Sequence, residues 1–181
     1  VVNLYPFQAT VAREGCTIED AAENIDIGGP SMVRAAAKNF NDVTVVVDPD
    51  AYEKVLDEMR GNSNTVSLDT RRRLSRDAFA HTARYDSFIA EYLSQTLSEE
   101  SKFTPWLQKP FSKVQELRYG ENPHQTAVVY REIGARPSDI TSANQLQGKE
   151  LSFNNIMDLD AAWELVTEFE ASSAVIIKHT N

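Results

Sequence analysis

Apolar positions recur every three or four residues between 67 and 95, where Leu74, Ala78, His81, Tyr85, Phe88 and Tyr92 fall on one stripe. That spacing predicts one long helix with a single buried face, on which His81 is a packed core or interface histidine. The β-branched run Val43-Thr44-Val45-Val46-Val47 ends at Asp48-Pro49-Asp50, a pattern that predicts a buried strand and then a helix over 51–60. Residues 1–7 read as the end of another buried strand, stopped by Tyr5-Pro6. Between these two strands, Thr17-Ile18-Glu19-Asp20 has the form of a capping box opening a short helix that reaches Asn24. Gly28-Gly29-Pro30 then makes a sharp turn into a helix over 31–40, with Pro30 at its first turn.

The second half is punctuated differently. Residues 98–113 are polar and aperiodic and hold Pro105 and Pro110. They mark a domain boundary, so that 1–110 and 111–181 are read as two domains. Phe103 and Trp106 in this linker are expected to pack on a neighbouring domain or subunit. Residues 126–130 read as a strand. A helix over 156–169 carries the stripe Ile156, Leu159, Trp163 and Val166, read as core. Residues 174–177, Ala-Val-Ile-Ile, read as a buried strand that delivers Lys178-His179 at its carboxyl end, where open α/β sheets place their chemistry. Strands alternating with helices make the fold class α/β.

Composition narrows the function classes. With 41% hydrophobic and 25% charged residues the chain is globular, and no apolar run approaches the ~20 residues of a membrane span. No basic region followed by an apolar stretch opens the chain, so no secretory signal is visible. The chain begins without Met inside an apolar strand, which is read as a cut from something longer. The lone Cys16 has no intrachain partner, which fits a reducing cytoplasm, and it reads as a small residue at a helix start rather than a nucleophile. A net charge of −9 argues against a nucleic-acid partner, which needs a basic face. Small phosphorylated ligands are not excluded, since they need only a few local cations and backbone N–H groups.

Candidate chemistry is therefore local. The glycines Gly28 and Gly29 at a helix start leave unpaired N–H groups at its positive end, which can hold an anion. Asp26 precedes them, and Arg34 and Lys38 stand four apart on one helix face; a plain tight turn and a solvated stripe account for the same residues. Arg71-Arg72-Arg73 reads as a solvated helix start or a subunit contact. Residues 117–125 pack a guanidinium, a phenol, a carboxylate, amides and an imidazole into a loop without periodicity. Gly120 there permits a positive φ, and Pro123 restricts both itself and Asn122. In Lys178-His179 an imidazole suited to proton transfer near neutral pH adjoins an ammonium able to steady an oxyanion, a pair suited to acyl-type transfer to an amine. No metal-ligand spacing, P-loop or dinucleotide fingerprint is present.

Arg118-Tyr119-Gly120-Glu121-Asn122-Pro123-His124-Gln125, with Asn24-Ile25-Asp26-Ile27-Gly28-Gly29-Pro30-Ser31 upstream and Lys178-His179 downstream, resembles the bifunctional AICAR formyltransferase/IMP cyclohydrolase family of purine biosynthesis. The likeness runs from Asn3-Leu4-Tyr5-Pro6-Phe7 to the last residue. It implies the end of a methylglyoxal-synthase-like doubly wound domain followed by the start of a cytidine-deaminase-like α/β transformylase domain. It further implies that Tyr5, Asp26 and Lys38 are cyclohydrolase residues, with the Gly28-Gly29 backbone against the nucleotide. His179 is implied as general base and Lys178 as its electrostatic partner in formyl transfer from 10-formyltetrahydrofolate, while Arg118, Tyr119, His124 and Asn155 hold the nucleotide. The family implies a cytoplasmic homodimer acting on AICAR, formyl-AICAR and IMP, with no required metal, nucleic acid or membrane. On this resemblance the chain is an internal piece, expected to fold poorly and to be inactive alone. A regulatory module that binds a nucleotide or another anion without catalysis is the competing expectation, and it leaves residues 118–125 and Lys178-His179 unexplained.

Overall fold

The computed structural model describes residues 1–97, 107–133 and 138–180, so the expected packing of Phe103 and Trp106 lies outside the described residues. The chain divides into two compact units, Val1–Gln108, whose described elements are helical, and Lys109–Asn181, which mixes helix and strand.

The first unit is built on α5, Leu68–Leu97, whose predicted stripe is buried at Leu74, Ala78 and Tyr85. Against it lies α3, Gly28–Lys38. Where the two helices meet, Ala37 and Ala78 are fully enclosed together with Val33, and methyl side chains let the backbones come close. Ser75 Oγ there donates to the Ala37 carbonyl at 2.7 Å, satisfying a polar group that burial would otherwise penalise. Each fully buried valine in this cluster contributes roughly 1.5–3 kcal/mol.

Residues 43–47 run along the same core with alternating sides. Val45 and Val47 face the α3–α5 cluster, and Val46 joins Val55 and Leu74 on the other side. Burial is thus as expected at Val45, Val46 and Val47, but a ladder is not formed. The Val2 N–H donates to the Val46 carbonyl at 3.1 Å, and the first unit has no β-strand among the described residues. A ladder needs several successive pairs, and this contact supplies one.

Local signals were good predictors of helix starts. Thr17 and Asp20 form the capping box of α2, Ile18–Glu23. Asp48 caps a 3₁₀ turn, Pro49–Ala51, that runs into α4, Tyr52–Gly61. A short unpredicted helix, α1, Phe7–Val11, follows Pro6. The start of α3 is a correction for the glycines, which lie within the helix rather than before it, while Pro30 sits in the first turn as expected. Pro is tolerated so early because its N–H would have no intrahelical acceptor.

The second unit holds a two-stranded antiparallel sheet, β1 (Phe111–Leu117) and β2 (Ala127–Glu132). Residues 111–113, expected in the linker, belong to β1. A register shift between Lys113 and Gln115 breaks the alternation that would have revealed this strand. After a 3₁₀ turn at Ile140–Ser142 comes α6, Phe153–Thr167, opened by a capping box of Ser152 and Asn155. Its stripe is helical as expected but is not core: no α6 residue is buried, with Leu159 42% and Trp163 44% exposed. Residues 174–177 form no strand, and Ile176 is 97% exposed. An apolar run sets an extended preference, but a buried strand also requires neighbours on both edges, and none flanks this segment among the described residues.

Candidate functional site

In the first unit the expected site residues meet at the start of α3. Asp26 sits just ahead of the helix, and its Oδ1 accepts the Gly29 N–H at 2.7 Å while its Oδ2 accepts the Tyr5 N–H at 3.3 Å. The carboxylate therefore occupies the positive end of the helix, which corrects the expectation of unpaired N–H groups there. Gly29 is the residue that permits this: a Cβ would run into Asp26 Oδ2 and stand 2.8 Å from Leu4 Cδ2. At Gly28 a Cβ would meet nothing.

The structure does not bring Lys38 to this cluster. It closes α3 at the far end, ten residues from Gly28, or about 15 Å along the axis. Arg34 lies between, its guanidinium 5.5 Å from the centroid of the Phe79 ring. Tyr5 is exposed and borders a cleft of about 410 Å³ that also takes in Gln8, His81, Arg84 and Phe88. Arg84 Nη2 approaches His81 Nδ1 at 3.2 Å; guanidinium is a donor only, so Nδ1 accepts and the ring is neutral. Burial chiefly, and then the Arg84 charge, push the His81 pKa down, against the smaller opposing influence of Asp48.

In the second unit the loop after β1 is shaped by its own hydrogen bonds. Gln125 closes it, its carbonyl accepting the Gly120 N–H at 2.9 Å and its side-chain Oε1 accepting the Asn122 N–H at 2.7 Å. Gly120 has no positive φ, contrary to expectation; those glycines are Gly15 and Gly148, and Gly120 is needed for space because a Cβ would stand 2.8 Å from Gln125 Cβ. The loop is tied to the start of α6 by Arg118 N–H to the Leu151 carbonyl, 2.8 Å, and Phe153 N–H to the Tyr119 carbonyl, 3.1 Å. Asn154 Nδ2 adds a bond to the Glu121 carbonyl at 3.3 Å.

Arg118 stacks over the Tyr119 ring at 4.8 Å and donates to its hydroxyl at 3.2 Å. The Ser152 hydroxyl first and Arg118 second hold the Tyr119 phenol below the usual tyrosine range. Asn155 is committed to the cap, its Oδ1 accepting the Ser152 N–H at 3.1 Å and Oγ–H at 2.9 Å. His124 is exposed on the loop. One turn along α6 from Asn155, Asp158 Oδ2 stands 3.8 Å from His179 Nδ1, and His179 holds a φ of 63°, in the left-handed region that His adopts more readily than most residues. Lys178 beside it is exposed.

The first two turns of α6 thus serve both the Arg118–Tyr119 loop and His179, because positions three apart share a helix face. Sequence reasoning missed Ser152, Asp158 and Gln125. The Ser152-x-x-Asn155 spacing was a visible cap signal, whereas Asp158 became meaningful only once the chain had returned His179 to it. Among the described residues no group of three or more His, Cys, Asp or Glu side chains is placed to hold a metal, and no helix is long and apolar enough to cross a membrane.

Known proteins match this chain. The family model described as AICARFT/IMPCHase bienzyme matches residues 36–181. A solved structure described as "Crystal structure of ForH" aligns at 38% sequence identity over 39% of this chain and 38% of that one, with a TM-score of 0.37. The aligned stretch is therefore well under two thirds of that protein.

Proposed function

The chain belongs to the AICARFT/IMPCHase bienzyme family, and from that premise we propose that it carries parts of two sites, one for formyl transfer to AICAR and one for closure of formyl-AICAR to IMP. Formyl transfer joins the 5-amino nitrogen of AICAR to the formyl carbon of 10-formyltetrahydrofolate, while that carbon's bond to N10 breaks, the amine loses a proton and tetrahydrofolate leaves with a proton on N10. His179 is the base for that proton. Asp158, facing Nδ1, orients the ring so that Nε2 is directed to the substrate, and the Lys178 ammonium steadies the charge developing on the formyl oxygen. Arg118 and Tyr119 bind the nucleotide: the guanidinium, already held flat on the phenol, offers paired donors to a phosphate or carboxamide. His124 adds a further donor from the same loop, and Asn155 holds the helix start that positions it.

Ring closure joins the carboxamide nitrogen to the formyl carbon with loss of water, a reaction that requires alignment and proton transfer rather than a cofactor. Tyr5, Asp26 and the Gly28-Gly29 backbone form the edge of that site. The whole protein acts as a cytoplasmic homodimer, and the 181-residue chain alone turns over neither substrate. The observation that carries the formyl-transfer assignment is the placing of His179 against Asp158 on the same helix that anchors the Arg118–Tyr119 loop.

The test is His179→Ala in the full-length protein. Formyl transfer is expected to fall by ~10²–10⁴-fold while supplied formyl-AICAR is still cyclised. Normal transfer by the variant, or nucleotide binding without turnover by the wild type, sinks the assignment and favours a regulatory binding module.

A further inference from the structure

The phenol of Tyr85 has no part in the chemistry just described, yet it is a buried group bonded directly to one of the ring-closure residues. Its hydroxyl accepts the Asp26 N–H at 2.8 Å and donates to the Asn24 carbonyl at 3.4 Å, so one oxygen grips the backbone on both sides of Ile25. Its ring meets Phe7 edge-on, with centroids 6.4 Å apart at 70°. Phe7 follows Tyr5-Pro6, and its N–H bonds back to the Tyr5 carbonyl at 2.8 Å. A single side chain on the rigid α5 therefore touches both segments that must meet: residues 24–26, which carry the Asp26 carboxylate, and residues 5–7, which carry Tyr5. Their meeting is observed in the two bonds that Asp26 accepts, from the Tyr5 and Gly29 N–H groups.

We infer that Tyr85 is the positioning residue of the ring-closure site, fixing the Asp26 carboxylate between Tyr5 and the start of α3 through its hydroxyl; this rests on the assignment of Asp26 to that site. Two features favour positioning over mere packing. A tyrosine kept only for packing would be served as well by phenylalanine, whereas here the hydroxyl is paired on both its donor and its acceptor side. Burial first raises the phenol pKa, so the group stays protonated and keeps its donor through the neutral range, with the Asp26 N–H bond as a smaller opposing influence. Asp26 has no side-chain bond to α5 of its own among its contacts above, so without the hydroxyl only the Tyr5 and Gly29 N–H groups would hold the carboxylate, with nothing tying it to α5.

Tyr85→Phe keeps the ring against Phe7 and deletes the clamp. In the full-length protein, ring closure of supplied formyl-AICAR is expected to lose ~10- to 100-fold in kcat, because a displaced carboxylate misaligns the reacting groups. KM is expected to stay within about threefold, since the interaction acts on the transition state rather than on uniform binding. Formyl transfer, measured on the same sample, is expected to be unchanged, which separates the effect from general loss of folded protein. A variant kcat within about twofold of wild type overturns the inference, as does a rise in KM at constant kcat. A wild type without any ring closure instead removes the assignment of the reaction, and the inference with it. Amide exchange of the wild type gives a reading independent of any variant: the Asp26 N–H is expected to exchange ~100-fold more slowly than the neighbouring Ile27 N–H, and equal rates rule out the clamp.

Discussion

Two helices in this chain begin beside candidate chemistry, and they are held in opposite ways. The start of α3 is fixed from beneath: Asp26 caps Gly29, the α3 face rests on α5 through Val33 and Ala37, and the buried Tyr85 grips the chain behind it. The start of α6 is fixed from the side, by main-chain bonds from Arg118 and Phe153 and by its own capping box, while none of its residues is buried. In the first case burial sets geometry and leaves little freedom. In the second, hydrogen bonding sets the backbone while the candidate side chains Arg118, His124 and His179 remain open to solvent. The same requirement, a positioned polar group at a helix start, has thus been met once by packing and once by local bonding.

The sharpest way to break this contrast is to add one methyl group at each place. Gly29→Ala drives a Cβ into the Asp26 carboxylate, which is bonded to the Tyr5 and Gly29 N–H groups, and into Leu4, which packs against two core clusters. We expect a loss of about 3 kcal/mol in thermal or denaturant unfolding of the full-length protein, with ring closure falling ~100-fold. Gly120→Ala, also at a buried glycine, brings a Cβ against Gln125 Cβ, but residues 121–126 of the loop are exposed and free to shift with it, and about 1 kcal/mol is expected. Equal costs at the two sites would mean that the second loop is as rigidly packed as the first. Next in size is truncation of the two apolar faces. Val33→Ala, at a fully enclosed position, is expected to cost about 2 kcal/mol, and Leu159→Ala on α6 less than about 1 kcal/mol. A Leu159→Ala penalty as large as that of Val33 would place α6 in a core.

These elements also show what a sequence can disclose. The long helix α5, the Thr17–Asp20 capping box and the Asp48-Pro49-Asp50 turn were legible because each is decided within one or two turns of chain. The β1 strand was not, because its bulge spaces Phe111, Val114 and Leu117 three apart, a helical interval. The runs at 43–47 and 174–177 look alike in sequence, yet one is buried and the other exposed, since burial depends on what distant segments do. At the sites, Asp26 with Gly29 and Arg118 with Tyr119 proved to be neighbours, as adjacent motifs tend to be. Lys38 lies at the other end of its helix, and Asp158 and Tyr85, as partners of distant residues, have no local signature.

A smaller effect sharpens the second region. Ser152→Ala removes the cap of α6 and the hydroxyl that most strongly lowers the Tyr119 pKa. About 1 kcal/mol of stability is expected to be lost, and the Tyr119 phenol, followed by ultraviolet titration, is expected to titrate at higher pH. A Tyr119 titration that does not move would assign its lowering to Arg118 alone.

The smallest effect separates the two capping boxes by their chemistry. The box of α2 closes with a carboxylate, Asp20, whereas that of α6 closes with an amide, Asn155, which does not titrate. Asp20 is held below its ordinary range by the Thr17 N–H first and the Thr17 hydroxyl second. A carboxyl whose folded pKa is depressed favours the folded state above its unfolded value of about 3.9, and that contribution is lost as pH falls through the lower folded value. Acidification over that window is therefore expected to fray α2 and leave the start of α6 intact, as followed by the amide signals of Asp20 and Asn155. In Thr17→Ala the Asp20 titration is expected to return toward the ordinary range, and its share of the pH dependence to vanish. Parallel fraying of the two helices would show that acid acts on something shared, such as net charge, rather than on the one cap that carries a proton.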